Sequence, residues 1–325
     1  MNKSQRLIFL ILTLFLMSVG SILNLQDFNN FHESIDNSET NLNLSSSSPL
    51  WIHTAGESIE AVAISANGEY IVSGGRDNKV YLFHKSSSIP LWSYTLPSMV
   101  WSIDISADGN YIIAAAYWGG VFLFNKSSST PVWNYTTDPG NAYLSISEDG
   151  NFIAAGGGNN LYFFSRSSST PLWNTSIAGV NCVAISSDGT YIAVGQSGND
   201  FALYNKSNST PIWVYSGSTS SLSIDISSDG KYIVGGSLDH HVYLFNKSSS
   251  TPVWRYGLDG YPTAHYDFAL EISSDGKYIV AGGRHKIYLF DRDIISAPAI
   301  IIPGYNLFIM LLIIGFMFLI SITSR

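Results

Sequence analysis

The chain has 325 residues, of which only 12% are charged and 14% aromatic, and its formal net charge is −8. With no basic cluster, that balance excludes a nucleic-acid binder, whose phosphate contacts need Lys/Arg patches. Cys182 is the single cysteine, which excludes an internal disulfide and a thiolate metal cage.

In chain order, Lys3 and Arg6 precede LIFLILTLFLMSVGSIL (7–23), so residues 1–23 read as a secretory signal peptide or an uncleaved signal anchor. Residues 24–42 are polar and aperiodic, a flexible stem. From residue 43 onward a nonamer of the type NKSSSTPVW recurs. Its tryptophans, Trp51, Trp92, Trp133, Trp173, Trp213 and Trp254, fall 41, 41, 40, 40 and 41 residues apart. One full unit, Val100 to Thr137, holds four short β-like runs: VWSIDIS, YIIAAAY, VFLFN and PVWNYT. Asp-Gly or Asn-Gly recurs at 67–68, 108–109, 149–150, 188–189, 229–230 and 275–276, where glycine supplies the positive φ of a tight hairpin.

Four strands in a period of about 40 residues predict an all-β fold, a β-propeller. First strands are expected near Ile59, Val100, Asn141, Val180, Ser221 and Asp267, giving six blades within residues 43–295. The sixth unit leaves the pattern after Asp291 without a fourth strand, whereas PLWIHT (49–54) is a fourth strand without a blade. The expectation is a six-bladed β-propeller closed by pairing the N-terminal strand into the C-terminal blade, which removes an open sheet edge.

Beyond it, residues 296–304 form a linker with a Pro-Gly motif, and YNLFIMLLIIGFMFLISI (305–322) is an uncharged run. As a transmembrane helix it is long enough for a hydrocarbon core of about 30 Å. Arg325 then places the C-terminus in the cytoplasm and the propeller on the extracytoplasmic side of the cell membrane. Candidate glycosylation sites at Asn43, Asn125, Asn134, Asn174, Asn205, Asn208 and Asn246 agree with that side.

Within the nonamer, the serine-rich part needs only polarity and turn propensity, and proline opens an outermost strand that tolerates a missing N–H. Tryptophan is expected to pack against the adjoining blade. The nonamer is therefore structural.

Two stretches carry a resemblance. VAISANGEYIVSGGRDNKVYLF (62–83) resembles WD-repeat propellers, and VYLFNKSSSTPVW (242–254) resembles the blade ending of quinoprotein-type (PQQ-like) repeats. The resemblance implies the fold, with a closing tryptophan docking neighbouring blades, but not an activity, because propellers host many. Leu-Phe stands where WD repeats close on Trp-Asp, and one cysteine with six blades argues against quinone binding. IPGYNLFIMLLIIGF, from Ile302, resembles archaeal sorting signals, which implies processing at the motif and lipid replacement of the helix; a plain transmembrane anchor is the alternative.

In propellers of this type, the loops entering each first strand and those joining second to third strands share one face. Blades two to four present Tyr117, Trp118, Asn159 and Asn160 there. The side of blades five, six and one carries Asp239, His240, His241, Tyr261, His265, Tyr266, Arg284 and His285, with Glu57 and Arg76. An insertion, GLDGYPTAHYD (257–267), adds to that side, the expected binding face for a protein or glycan partner. Asp77, Asp200 and Asp239 are also candidate turn braces.

A metal-dependent enzyme using the histidines is the alternative, although no spacing matches a zinc motif and adjacent strand histidines point to opposite sides. Along the first strands, Asp104, Asp225 and Glu271 occupy one level of a central channel, either as ligands of a hydrated cation such as Ca²⁺ or as solvated carboxylates. Cys182 is expected to be an inert buried thiol. No catalytic elbow or phosphate-cradling loop is present. The expected function is a membrane-anchored, cell-surface, non-catalytic protein- or glycan-binding scaffold, with an envelope-protein assembly factor as a further alternative.

Overall fold

The computed structural model describes residues 48–137, 142–198, 201–217, 219–258, 269–283 and 286–294. The signal segment, the stem and the 305–322 span lie outside them. Among the described residues no helix is long and apolar enough to cross a membrane. The chain divides into two compact units, Met1–Ile52 and His53–Arg325, and six antiparallel sheets lie in the second.

Each sheet is a simple meander, numbered here as a blade. Blade 1 is β1 (Ile59–Ile64), β2 (Tyr70–Gly75), β3 (Lys79–His84) and β4 (Trp92–Thr95). Blade 2 is β5 (Val100–Ile105), β6 (Tyr111–Ala116), β7 (Gly120–Asn125) and β8 (Trp133–Tyr135). Blade 3 is β9 (Ala142–Ile146), β10 (Phe152–Gly157), β11 (Asn160–Ser165) and β12 (Trp173–Ser176). Blade 4 is β13 (Val180–Ile185), β14 (Tyr191–Gln196), β15 (Phe201–Asn205) and β16 (Asn208–Tyr215). Blade 5 is β17 (Ser221–Ile226), β18 (Tyr232–Ser237), β19 (His241–Asn246) and β20 (Trp254–Gly257). Blade 6 has three strands, β21 (Ala269–Ile272), β22 (Tyr278–Gly283) and β23 (Lys286–Asp291).

The sequence reason for this order is local. In every repeat Ser-x-Asp/Asn-Gly closes the first hairpin. Ser106 Oγ donates to Asp108 Oδ1 at 2.7 Å and accepts from Tyr111 N at 3.0 Å, and the same pair of bonds recurs at Ser147, Ser186 and Ser227. The glycine takes φ of +71° at Gly109, a value that favours a residue without Cβ. At the other end, asparagine and serine cap the Ser-rich turn: Asn125 Oδ1 accepts from Ser127 N at 3.0 Å and Ser128 Oγ from Thr130 N at 3.0 Å.

Consecutive blades pack face to face, which makes five separate apolar cores. In the first, Val80 and Leu82 of blade 1 meet Ile103, Ile105 and Phe124 of blade 2, and equivalent clusters join blades 2–3, 3–4, 4–5 and 5–6. Alternation along each third strand does this: in blade 2 Val121 and Leu123 face the following blade and Phe122 and Phe124 the preceding one, and in blade 4 Phe201 and Leu203 face the following blade and Ala202 and Tyr204 the preceding one. The result is a propeller-like succession of six sheets.

One expectation is not met. Residues 49–54 carry no strand, and blade 6 keeps three strands among the described residues. His53 is engaged instead on blade 1. Its ring lies 4.9 Å from that of Phe83 and 5.2 Å from that of Tyr81, and its Nδ1 lies 3.0 Å from Ser88 O. A groove of about 430 Å³, lined by Trp254, Tyr256, Tyr278, Leu289 and Phe290, runs beside β23.

Candidate functional site

Four tryptophans of the nonamer lock blade to blade by a hydrogen bond. The indole N–H of Trp92 donates to Lys126 O at 2.9 Å, Trp133 to Arg166 O at 2.8 Å, Trp173 to Lys206 O and Trp213 to Lys247 O at 3.0 Å. Each acceptor belongs to the next blade. The Trp133 ring lies 5.4 Å from Phe164, and that of Trp254 lies 5.2 Å from Phe290. Trp51 is half-buried in the N-terminal unit. The cation that supplies each carbonyl also covers an aromatic ring of the preceding blade: Lys126 over Tyr70 at 4.7 Å and Arg166 over Tyr111 at 4.1 Å.

Asp104 and Asp225 hold neighbouring first strands together. Asp104 Oδ1 accepts from Ile105 N at 2.8 Å and Oδ2 from Ile146 N of blade 3 at 3.0 Å. Asp225 Oδ1 accepts from Ile226 N and Oδ2 from Ile272 N of blade 6, both at 2.8 Å. Burial pushes both carboxyls up to about 6; for Asp225 the charges of Glu271 and Asp104 add to it. With all four oxygens turned to backbone N–H groups, these aspartates act as staples. Among the described residues no three His, Cys, Asp or Glu side chains converge as metal ligands, and Asp104, Asp225 and Glu271 are no exception.

On the expected binding side, Asp239, His240 and His241 form the turn between β18 and β19. Asp239 Oδ1 accepts from His241 N at 3.1 Å, and the Tyr243 hydroxyl donates to Oδ2. Asp77 does the same in blade 1, accepting from Lys79 N at 3.0 Å and the Tyr81 hydroxyl at 2.6 Å. Burial raises the Asp77 carboxyl, but these bonds and one from Gly56 N outweigh it and leave the group below its ordinary value. Burial and the Asp77 bond push the Tyr81 hydroxyl up to about 12. Both aspartates are turn braces; Asp200 lies outside the described residues.

His240 is in the turn rather than on a strand, at φ +68°, the position of Asn78 at +65°. Arg76 pairs with Glu60, and Glu57 is exposed. Tyr261, His265, Tyr266, Arg284 and His285 lie outside the described residues, so the structure assembles only the Asp239–His241 part of that face.

The other side of the loop face carries more than the sequence indicated. Trp101 of β5 stands 5.8 Å from Tyr117 and 6.4 Å from Tyr143, and Tyr117 lies 5.9 Å from Trp118. Trp118 is 62% exposed and sits at φ +58°, a left-handed conformation that strains a bulky residue. Tyr117 N donates to Met99 O at 2.8 Å and Ser98 Oγ donates to Tyr117 O, fixing the loop. Tyr117 and Trp118 are legible as loop residues. Trp101 and Tyr143 read only as strand residues, and register alone places them beside that loop.

Burial pushes the Cys182 thiol up to about 12. Of the sequon asparagines, Asn134, Asn174 and Asn208 are exposed on outer strands; Asn125, Asn205 and Asn246 cap Ser-rich turns, and Asn43 lies outside the described residues.

The profile of a family of PQQ-like repeats, described as outer membrane protein assembly factor BamB, matches residues 40–256, well over half of the chain. No curated protein matches it.

Proposed function

The chain belongs to the BamB family of PQQ-like repeats, and from that premise we propose that it is a non-catalytic six-bladed propeller scaffold that holds a polypeptide partner during envelope-protein assembly. The observation that supports this most is the match itself. It covers the repeats whose tryptophans Trp92, Trp133, Trp173 and Trp213 each donate to a carbonyl of the next blade, a locking role rather than a chemical one. A scaffold needs a rigid frame and a loop face that varies, and this chain has both.

In this reading the N-terminal signal segment and the 305–322 span tether the propeller on the extracytoplasmic side of a membrane, where the sequons are accessible to glycosylation. The partner contacts the loop face. The Asp239–His241 turn belongs to one side of that face and the Trp101–Tyr117–Trp118 cluster to the other; Tyr261, His265, Tyr266, Arg284 and His285 are the further contact residues this reading takes from the sequence. Exposed aromatic rings suit the alternating apolar side chains of an extended polypeptide.

The test is binding of a fluorescein-labelled, urea-unfolded β-barrel precursor diluted into buffer with the full chain. Wild type is expected to bind it. Tyr261→Ala with His265→Ala, or Trp118→Ala alone, is expected to weaken binding tenfold or more while the melting temperature holds. Absence of binding by wild type removes the polypeptide-holding reading; binding indifferent to both variants removes the loop face.

A further inference from the structure

We infer that the part of the loop face carried by blades 2, 3 and 4 is a binding site for a neutral, linear oligosaccharide. The inference goes beyond the polypeptide-holding reading and does not rest on it. It joins an aromatic platform to an uncharged polar depression, a combination that matches a sugar ring better than an apolar side chain.

The platform is built by first strands. In blades 1, 2, 4 and 5 a register shift at the start of the first strand inserts one extra residue at the loop end: Glu60, Trp101, Asn181 and Leu222. A bulge of this kind re-aims a side chain. In blade 2 it sets Trp101 beside Tyr117, and Tyr143 of blade 3 meets the same indole edge to face, with the rings 82° apart. Trp118 continues the platform from Tyr117 and carries its most exposed ring.

The backbone does not call for tryptophan at that point. The second-to-third strand turns of the other blades fill their left-handed positions with Asn78, Gly158, Gly198 and His240. Glycine and asparagine take such a φ with little strain. Trp118 takes it at a cost, and a ring left in water returns nothing to the fold. Strain kept under an exposed ring points to a ligand.

Tyr143 also packs against the core shared by blades 3 and 4. The loops at that end of these two blades form a shallow depression of about 620 Å³, lined by Asn159, Ser176, Ala178, Gly179 and Ser197. Asn159 Oδ1 accepts from Gly179 N at 3.2 Å, and among the described residues no acceptor takes its amide N–H groups. Ser176 Oγ donates to Asn160 Oδ1 at 2.9 Å, and Ser197 Oγ to Asn181 Oδ1 at 3.2 Å, so both hydroxyls keep lone pairs to accept with. Asn181 holds the repeat position of Trp101, so the bulge that supplies a ring in blade 2 supplies an amide in blade 4. None of the described loop residues on this part of the face is charged; Asp138 and Asp200 lie outside them.

A pyranose has C–H groups on its faces and hydroxyls around its rim. The faces stack on an exposed indole, and the hydroxyls, each donor and acceptor, pair with amide and serine. An apolar side chain would use the platform but cover the depression's polar groups without replacing their water, which costs free energy. A charged ligand finds no counter-charge there, in a chain of net charge −8. The surface runs over three consecutive blades, so the ligand it fits is a chain of sugars rather than one.

The full chain is titrated with cellohexaose, chitohexaose and maltohexaose, followed by tryptophan fluorescence and by heat. At least one is expected to bind at millimolar concentration or below. Trp118→Gly relieves the left-handed strain, so its melting temperature is expected to hold or rise while affinity falls tenfold or more. Asn159→Ala, which leaves every ring in place, is expected to lose as much. Wild type that binds none of the three overturns the inference, and so does binding that both variants keep. Hexagalacturonate, charged on every unit, overturns the neutral class if it binds as tightly as the best of the three. The labelled, unfolded β-barrel precursor separates this from the polypeptide reading. Sugar binding without precursor binding supports the site and removes that reading; precursor binding without sugar binding does the reverse.

Discussion

At the scale of single residues, two kinds of aspartate pull the pH dependence of stability in opposite directions. Asp104 and Asp225 hold their proton more tightly folded than unfolded, because burial lifts them from 3.8 to about 6. Their contribution is complete below pH 3.8 and is lost as pH rises through about 6, roughly 2–3 kcal/mol each. At the turn aspartates Asp108, Asp149, Asp188 and Asp229 burial raises the pKa, but their bonds to serine and backbone win and lower it. That contribution is present above 3.8 and lost on acidification. The melting temperature is therefore expected to fall between pH 4.5 and 7. Asp104→Asn keeps one acceptor oxygen, so it should be less stable at pH 4.5 yet show a flatter decline. An undiminished slope in both Asp104→Asn and Asp225→Asn would assign the titration elsewhere. Both residues stand out in the sequence as carboxylates at one repeat position of the first strands. Their role as staples does not, because the partners are backbone N–H groups in the next repeat, and no side-chain pattern encodes those.

At the scale of elements, the repeat told the strands well. First strands expected near Ile59, Val100, Asn141, Val180 and Ser221 begin at Ile59, Val100, Ala142, Val180 and Ser221. Period and turn chemistry are local, so they survive in the text. The fourth strand of blade 6 depends on whether two distant segments meet, which no local signal decides, and there the expectation from PLWIHT failed. The tryptophan lock shows how much an element owes to its neighbour. Trp133→Phe keeps a ring on Phe164 but removes the donor to Arg166 O, and should cost about 1 kcal/mol. Trp133→Ala also removes the ring and should cost about 3 kcal/mol. Urea midpoints at constant slope read the difference; equal costs would mean that the indole N–H contributes nothing.

At the scale of the whole molecule, stability is a sum over nearest neighbours, as in other repeat arrays. Leu123, fully buried between blades 2 and 3, should cost about 2–5 kcal/mol as Leu123→Ala. Leu289 occupies the same repeat position in blade 6. There it is 71% exposed, so Leu289→Ala should cost no more than about 0.5 kcal/mol. A cost as large as that of Leu123→Ala would mean that another surface covers Leu289 in solution. Denaturant melts of the two variants read the difference.

The indole bonds all reach forward, from Trp92, Trp133, Trp173 and Trp213 to carbonyls 33 or 34 residues later. A ribosome releases the chain in the opposite sense to that dependence. No repeat is finished when it emerges; its greasy flank waits for the next one to be made. A nascent chain thus always trails one raw surface, and a transcript truncated between repeats yields a product that is sticky at its C-terminal end.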